Sequence, residues 1–190
     1  HLYSYLTTGP FLYYDRYEVN APPQKTIDQE STLISYETLN FFSSISAIDG
    51  ENRCILSKLE TLGDQFLDPK QLISPKSENH FDGEVVVLID GGSFSATSEV
   101  CAIMQRDKRA TFIGEETGGG FDGNTSGIYD QITLPNSRLT IKVPLIKYVS
   151  AVEEADFLYG RGVIPDFSVK AYGKTNRDQM MDFALKYLRR

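Results

Sequence analysis

Several residue types that build common functional sites are rare or missing in this chain. It contains no Trp, two Cys and two His among 190 residues. Cys54 and Cys101 do not form a CxxC pair, and His1 and His80 cannot supply a histidine-based metal centre by themselves. We therefore expect no metal and no cofactor, and we expect Cys101 to be a small core residue on the buried face of a helix.

The chain also lacks a basic cluster and a long apolar run. Its net charge is −7 and its sequence pI is about 4.9, which argues against a nucleic-acid partner. The longest apolar run, Val85 to Ile89, is too short to cross a bilayer. The sequence thus predicts neither a nucleic-acid partner nor a membrane span in this chain.

The composition favours a mixed α/β protein of one domain. Hydrophobic residues make up 41% of the chain, which is enough to fill a core, and the eleven Tyr and eleven Phe suggest well-populated strands. The chain begins inside a predicted helix, where Leu2, Tyr5 and Leu6 recur at helical spacing with no capping residue before them. We therefore expect residues 1–190 to be one domain that is part of a larger one.

The most informative segment runs from Val85 to Gly120. A buried strand (Val85 to Ile89) leads into a glycine turn and a serine-rich helix start, and a second short strand (Ala110 to Ile113) precedes a glycine-rich loop. A serine at a sharp strand-to-helix turn projects its hydroxyl from the packed layer, next to the free N–H groups of the first helical turn. Acyl-transfer chemistry needs both a nucleophile and an oxyanion stabiliser.

Other elements follow from periodicity and turn residues. The pattern predicts a strand over residues 11–19, a β-hairpin with strands near 128–134 and 138–143, and a strand near 163–166. Three further helices are predicted from residue spacing. Leu33, Tyr36, Glu37 and Asn40 lie at the spacing of one helix, and Leu56, Leu59 and Phe66 at that of a second. After a capping box at Thr175 to Asp178, the third has an apolar stripe made of Met180, Ala184, Tyr187 and Leu188. Residues 27–82 read as an insertion or lid.

Each serine of the turn also has a purely structural interpretation. Serine is a favoured helix N-cap, because its hydroxyl oxygen accepts a hydrogen bond from an otherwise unpaired amide. Ser93, Ser95 and Ser98 are all placed to do this. The surrounding motifs favour catalysis instead.

Several motifs in order resemble the carboxy-terminal-processing (tail-specific) and tricorn-like serine peptidases. The motifs are VLIDGGSFSATSE, a helix containing Gln105 and Asp107, RATFIGEETGGG, and GRGVIPD. Residues 83–166 match well and residues 27–82 match poorly. The resemblance implies an α/β fold of the crotonase-like or Clp-protease-like kind, with stacked β-β-α units, a central sheet, flanking helices and a β-hairpin.

The resemblance also implies roles for individual residues. Ser95 matches the nucleophile, and the backbone N–H of Ala96 would be one oxyanion donor; Ser93 and Ser98 are the alternatives. Glu115 and Thr117 match the Gly-Glu-x-Thr loop, which could equally be a glycine-rich turn with a charged rim.

The general base is not found among the motifs. The lysine of the tail-specific branch aligns with Gly120, and Lys108, Lys142 and Lys147 fall outside the motif. The tricorn-like branch uses an upstream histidine, but neither His1 nor His80 matches it, and we expect His80 to be a solvated surface residue. Glu153 and Glu154 lie where the acidic partner of that branch would fall.

The upstream glycine loop that gives the second oxyanion amide in the family has no counterpart here. The resemblance therefore implies the C-terminal part of a peptidase catalytic domain, inactive alone, from a parent that cleaves polypeptides through an acyl-enzyme on Ser95. A periplasmic or cell-envelope location is implied in the same way. The alternatives are a non-catalytic module that binds peptides or hydrophobic ligands, and, third, a crotonase-type acyl-thioester enzyme.

Overall fold

The structure, a computed structural model, describes residues 2–19, 35–63, 66–153, 159–171 and 178–190. The chain divides into two compact units. Unit 1 comprises His1–Tyr13, Leu72–Asn124 and Ser150–Arg190, and unit 2 comprises Tyr14–Gln71 and Thr125–Val149. The interpretation of residues 27–82 as an insertion or lid stays a prediction.

Unit 1 is built around a three-stranded parallel sheet. Strand β4 (Val86–Ile89) leads into helix α2 (Ala96–Arg106), which crosses back to strand β5 (Thr111–Gly114). These two strands pair in register from Val86 opposite Thr111 to Ile89 opposite Gly114. Strand β10 (Phe167–Ser168) pairs with the other edge of β5, so the strand order is β10-β5-β4. The expected strand, turn, helix and strand are therefore confirmed.

The core of unit 1 lies between the sheet and α2. Four consecutive residues of α2, Cys101 to Met104, are at most 3% exposed. They pack with Ile89, Phe112 and other buried side chains. Burial raises the pKa of the Cys101 thiol to about 11, so this group stays a neutral thiol at neutral pH. The expectation that Cys101 is a core residue is confirmed.

Helix α3 (Gln179–Tyr187) closes the chain. The Asp178 side chain caps it by accepting a hydrogen bond from the Met181 N–H at 3.0 Å. The capping box was predicted to begin at Thr175, which lies outside the described residues, and Asp178 is the cap itself. Met180 and Ala184 are buried as expected, whereas Leu188 is 47% exposed because it lies just past the last turn.

The described residues of unit 2 form a sheet with antiparallel pairs, one α-helix and a hairpin. Strands β1 (Tyr14–Val19), β2 (Ser46–Ile48), β3 (Cys54–Leu56) and β9 (Ile146–Ser150, whose last residue belongs to unit 1) are neighbours in the order β2-β3-β1-β9. Helix α1 (Tyr36–Ile45) contributes Leu39, Phe42 and Ile45 to a core with Tyr17 and Phe66. The expected hairpin is confirmed as β7 (Tyr129–Thr133) antiparallel to β8 (Thr140–Pro144). A short strand β6 (Gly123–Asn124) belongs to unit 1.

Three sequence expectations about helices and strands are wrong. The first segment is a 3-10 helix, Leu2–Tyr5, that buries Tyr3 and Ser4 and leaves Leu2 65% exposed. Leu56 lies in β3, and only a 3-10 turn, Leu59–Leu62, replaces the second predicted helix. Residues 163–166 are not a strand, because β5 pairs instead with β10, which begins after them. Leu33 of the first predicted helix lies outside the described residues.

None of the helices in the described ranges is sufficiently long and apolar to span a membrane.

Candidate active site

Ser95 lies at the point where the chain turns from β4 into α2. Its backbone has φ 54° and ψ −130°, a region that residues other than Gly rarely adopt, and strained backbone of this kind clusters at functional sites. The side chain is exposed, and although Ser95 occupies the N-cap position it makes no capping hydrogen bond. The structural role proposed for this serine, helix capping, is therefore not the role that its hydroxyl has.

The other two serines of the turn are engaged in structure. The Ser98 hydroxyl is 1% exposed and donates to the carbonyl oxygen of Ser93 at 2.8 Å. The Ser93 hydroxyl accepts from the Asp90 N–H at 3.2 Å. Asp90 also accepts from the Gly92 N–H at 2.8 Å, so the whole turn is held by its own side chains. These contacts leave Ser95 as the serine whose hydroxyl faces solvent.

Ala96 begins α2 directly after this serine. Its side chain is exposed, and in the described parts of the chain no group accepts a hydrogen bond from its N–H. The first amides of a helix have no partner within the helix and carry the positive end of its dipole. An oxygen that becomes negative beside Ser95 can therefore find a donor at Ala96.

The glycine loop, Glu115 to Gly120, packs directly against the serine turn. The Gly119 N–H donates to the Ser93 carbonyl oxygen at 3.0 Å. A Cβ on Gly119 would lie 2.9 Å from the Ser98 Cβ, and one on Gly118 would overlap the Gly91 carbonyl oxygen and the Phe94 ring. Side chains at either position would push the two segments apart, so the glycines allow the loop to support the turn.

Thr117 is a buried residue that holds this loop in place through hydrogen bonds. It is 4% exposed, and its hydroxyl donates to the Gly119 carbonyl oxygen at 2.9 Å. The Thr117 hydroxyl oxygen also accepts a hydrogen bond from the Val163 N–H at 2.8 Å. The Gly162 backbone approaches so closely that a Cβ there would lie 2.8 Å from the Gly119 carbonyl oxygen. Thr117 thus holds the segment around Val163 against the glycine loop.

Two neighbouring glutamates of the loop, Glu115 and Glu116, have different surroundings. Glu115 donates its N–H to the Ile89 carbonyl oxygen at 2.8 Å, and its carboxylate is exposed. The Glu116 carboxylate binds the Arg161 guanidinium through two hydrogen bonds and accepts from the Gly162 N–H at 2.8 Å. The hydrogen bond from Arg161 is the main reason why the pKa of Glu116 falls to about 2.

No general base contacts Ser95 within the described ranges. His80 is near the other end of α2, because Arg109, just past that end, donates to the carbonyl oxygen of Phe81. An eleven-residue helix is about 16 Å long. Lys108 is at that same far end.

His80 also differs from the solvated histidine that the sequence predicted. Its side chain is 17% exposed, and Nε2 lies 2.9 Å from Oδ1 of Asp82.

The C-terminal end of α2 borders a cavity of about 470 Å³ lined by Arg106 and Asp107. Burial and a hydrogen bond to Asp107 raise the pKa of Tyr3, which also lines it, to about 12. Because Ser95 lies at the other end of α2, this cavity is remote from it.

The remaining predicted site residues are not brought to Ser95. Glu153 is exposed and makes no described contact with the serine turn. Glu154 and His1 lie outside the described residues. In the described ranges, no group of three or more potential metal ligands was found.

One residue near the site was missed by sequence reasoning. Glu99, in the first turn of α2, is 4% exposed, and its carboxylate accepts a hydrogen bond from the Asn124 amide. Its N–H donates to the Ser95 carbonyl oxygen at 3.1 Å. The charge of Glu99 adds to the effect of burial in raising the pKa of Tyr13. Its position four residues before the core residue Ile103 was the available signal that it faces inward.

The sequence that forms the strained serine turn, the start of α2 and the glycine loop lies within a match to a known family. A model of peptidase family S41 matches residues 13–169. The chain belongs to peptidase family S41. The match includes the serine turn, the glycine loop and Gly162 to Asp166, so the expected family is confirmed.

Several solved structures are similar to this chain. A candidate peptidase from Parabacteroides merdae is 18% identical over 98% of this chain and 45% of that chain, with a TM-score of 0.55. Mature CPAF complexed with lactacystin is 17% identical over 99% and 39%, with a TM-score of 0.49. The photosystem II D1 C-terminal processing protease is 24% identical over 53% and 24%, with a TM-score of 0.33.

The chain spans less than half the length of these structures. No curated protein sequence matches it significantly. In the residues that the structure describes, the family S41 chain has a mixed α/β fold with a central sheet and three α-helices, in agreement with the expected class.

Proposed function

We propose that this chain carries the nucleophile of a serine peptidase and that the nucleophile is Ser95. The observation that carries the proposal is the exposed hydroxyl at a positive-φ turn, free of the capping bond that a structural serine would make. Backbone strain of this kind costs of order 1–3 kcal/mol and persists where the surroundings enforce it. Here the glycine loop and the Ser93 and Ser98 hydrogen bonds are that support.

The reaction would pass through an acyl-enzyme. Ser95 Oγ attacks the carbonyl carbon of a peptide bond while a base removes the hydroxyl proton, and the carbonyl oxygen becomes an oxyanion that the Ala96 N–H stabilises. The base then returns the proton to the leaving amine as the C–N bond breaks. Water, deprotonated by the same base, hydrolyses the ester and regenerates Ser95. The substrate is a polypeptide.

The base comes from outside the described residues, and we assign it to a histidine of a segment not included in this chain. Glu153 and Glu154 are the proposed acidic partners that would hold and polarise this histidine. Glu115 is left with a supporting role at the rim of the loop, whereas Thr117 supports the site through the backbone. The parent would share the crotonase-like arrangement of β-β-α units and would work in the periplasm or cell envelope.

The test is labelling of the full-length protein with a fluorophosphonate, which reacts with activated serine hydroxyls. We expect the wild type to be labelled and Ser95→Ala to lose all labelling. Thr97→Ala is the matched control, because it removes an exposed hydroxyl two residues away that makes no hydrogen bond in the described parts of the chain, and it should leave labelling intact. Labelling that persists in Ser95→Ala would overturn the assignment.

A second function is favoured by one observation, namely that no histidine or lysine in the described ranges contacts Ser95. A non-catalytic member of the family that binds peptides or hydrophobic ligands would keep the fold without a base. Folded full-length protein that resists the fluorophosphonate altogether would favour this function over the peptidase.

A further inference from the structure

Phe94, directly before Ser95, combines a fixed ring with an open face. The side chain is 58% exposed. Its Cε2 and Cζ atoms cover Gly118 so closely that no Cβ fits between them. Part of the ring therefore rests on the glycine loop, and the rest is exposed to solvent on the residue that precedes Ser95.

Exposure alone carries no functional meaning, because single apolar side chains are common on protein surfaces. Phe81 shows this within the same unit: it is 49% exposed, and its ring covers Gly83 in the same way. Phe81 lies beside Arg109 at the far end of α2. The difference between the two rings is that only Phe94 adjoins the strained serine.

The geometry of attack limits what can touch Phe94. A reacting carbonyl carbon lies about 3–3.5 Å from the nucleophile before attack. Adjacent Cα atoms are about 3.8 Å apart across a trans peptide. The side chain of a substrate residue that flanks the scissile bond therefore comes within van der Waals distance of the ring of Phe94, the residue next to the nucleophile.

We propose that Phe94 is the specificity-determining residue of this site, with its exposed ring forming an apolar wall for an aliphatic or aromatic side chain next to the scissile bond. The inference rests on the proposed peptidase function. The Gly118 contact holds the ring in place, so the wall is preformed and substrate binding does not have to order it.

The experiment compares cleavage-site profiles of the full-length protein and its variants on a proteome-derived peptide library, read by mass spectrometry. The wild type should prefer Leu, Met, Phe or similar residues at one position flanking the cut. Phe94→Ala should reduce kcat/KM for peptides with that residue about tenfold relative to matched peptides with Ala there. Phe94→Leu should retain most of the preference, and Phe81→Ala should leave it unchanged.

The outcomes separate this inference from the peptidase proposal. Absence of cleavage together with absence of fluorophosphonate labelling would refute the peptidase, whereas cleavage with an unaltered profile in Phe94→Ala would refute only the role of Phe94. An equal loss for every peptide, with a lowered melting temperature, would mean that the ring merely supports Gly118. Such a result would also overturn the proposal.

Discussion

Gly119 shows how one missing side chain can determine the geometry of the serine turn. Its N–H donates to the Ser93 carbonyl oxygen, and a Cβ on Gly119 would lie 2.9 Å from the Ser98 Cβ, so the loop and the helix start approach each other closely. Gly91, which lies in the serine turn itself, has open space where a Cβ would be. Gly119 therefore has no room for a side chain whereas Gly91 has, although both stand in short glycine runs in the sequence.

We therefore expect Gly119→Ala to disturb the site while Gly91→Ala does not. The added methyl group would meet Ser98 and the Phe94 backbone, and overpacking of this kind costs about 1–3 kcal/mol. The free energy of unfolding should fall by that amount, and the fluorophosphonate labelling rate of Ser95 should fall at least tenfold in protein that is still folded. Equal labelling rates in the two variants would show that the contact does not position Ser95.

Residue identity at the site was only partly accessible from sequence. The order of the motifs was sufficient to single out Ser95, and its φ of 54° is consistent with a functional turn. The local sequence could not show that Ser98 is buried or that Glu116, not Glu115, binds Arg161, because Arg161 is 45 residues further along the chain. Whether His80 lies near Ser95 was also a question of tertiary structure, which no spacing rule answers.

Among the elements, the glycine loop is held to the segment around Gly162 by a charged clamp. Glu116 binds Arg161 and the Gly162 N–H, and Thr117 binds the Val163 N–H beside it. Because the pKa of Glu116 is lowered to about 2 from its ordinary 4.5, the folded state favours the ionised carboxylate. The clamp therefore stabilises the fold above about pH 4.5, and this contribution is lost as the pH falls through the folded-state pKa.

Replacing Glu116 with Gln should reveal this window. At pH 7 the melting temperature of Glu116→Gln should be slightly below that of the wild type, the effect being small because the pair is accessible to solvent. The difference should shrink between about pH 4.5 and pH 2. Glu115→Gln is the control, since that carboxylate is exposed, and it should track the wild type at every pH. A Glu116→Gln deficit that persists undiminished near pH 2 would contradict the assignment.

Elements with strong periodicity were predictable and weakly patterned ones were not. The apolar run of β4, the inward face of α2 and the turn residues of the β7–β8 hairpin each specify their structure locally. Leu56 and Leu59 fit a helical spacing, but Leu56 pairs through β3 with β2. The short β10 is stabilised by its register with β5, which depends on tertiary contacts.

At the scale of the whole chain, unit 1 is assembled from three separate segments, and arginines join them. Arg109 donates hydrogen bonds to the carbonyl oxygens of Leu6, Phe81 and Gly83. Arg106 does the same for Leu12 and Ala151. Their positive charges also lie at the C-terminal end of α2, where they complement the helix dipole. The contacts of Arg106 and Arg109 with distant parts of the chain could not be predicted from the sequence, which shows only that the two arginines lie within four residues of each other.

Removing Arg109 should therefore loosen unit 1 far from Ser95. Arg109→Ala leaves three carbonyl oxygens without their charged donor, and one hydrogen bond to a charged group is worth about 1.5–3 kcal/mol. We expect a loss of at least about 2 kcal/mol in the unfolding free energy of unit 1, measured by hydrogen exchange of the β4 and β5 amides. Arg109→Lys should recover only part of it, because an ammonium lacks the planar fork that reaches several carbonyls.

Arg189→Ala, at the exposed end of α3, is the matched control and should leave exchange unchanged. Because Arg109 and Ser95 lie at opposite ends of α2, fluorophosphonate labelling per folded molecule should be the same in Arg109→Ala as in the wild type. Loss of labelling without loss of stability would mean that Arg109 acts on the serine turn directly. Unchanged exchange would mean that packing between α2 and the sheet, and not the arginine, holds the three segments together.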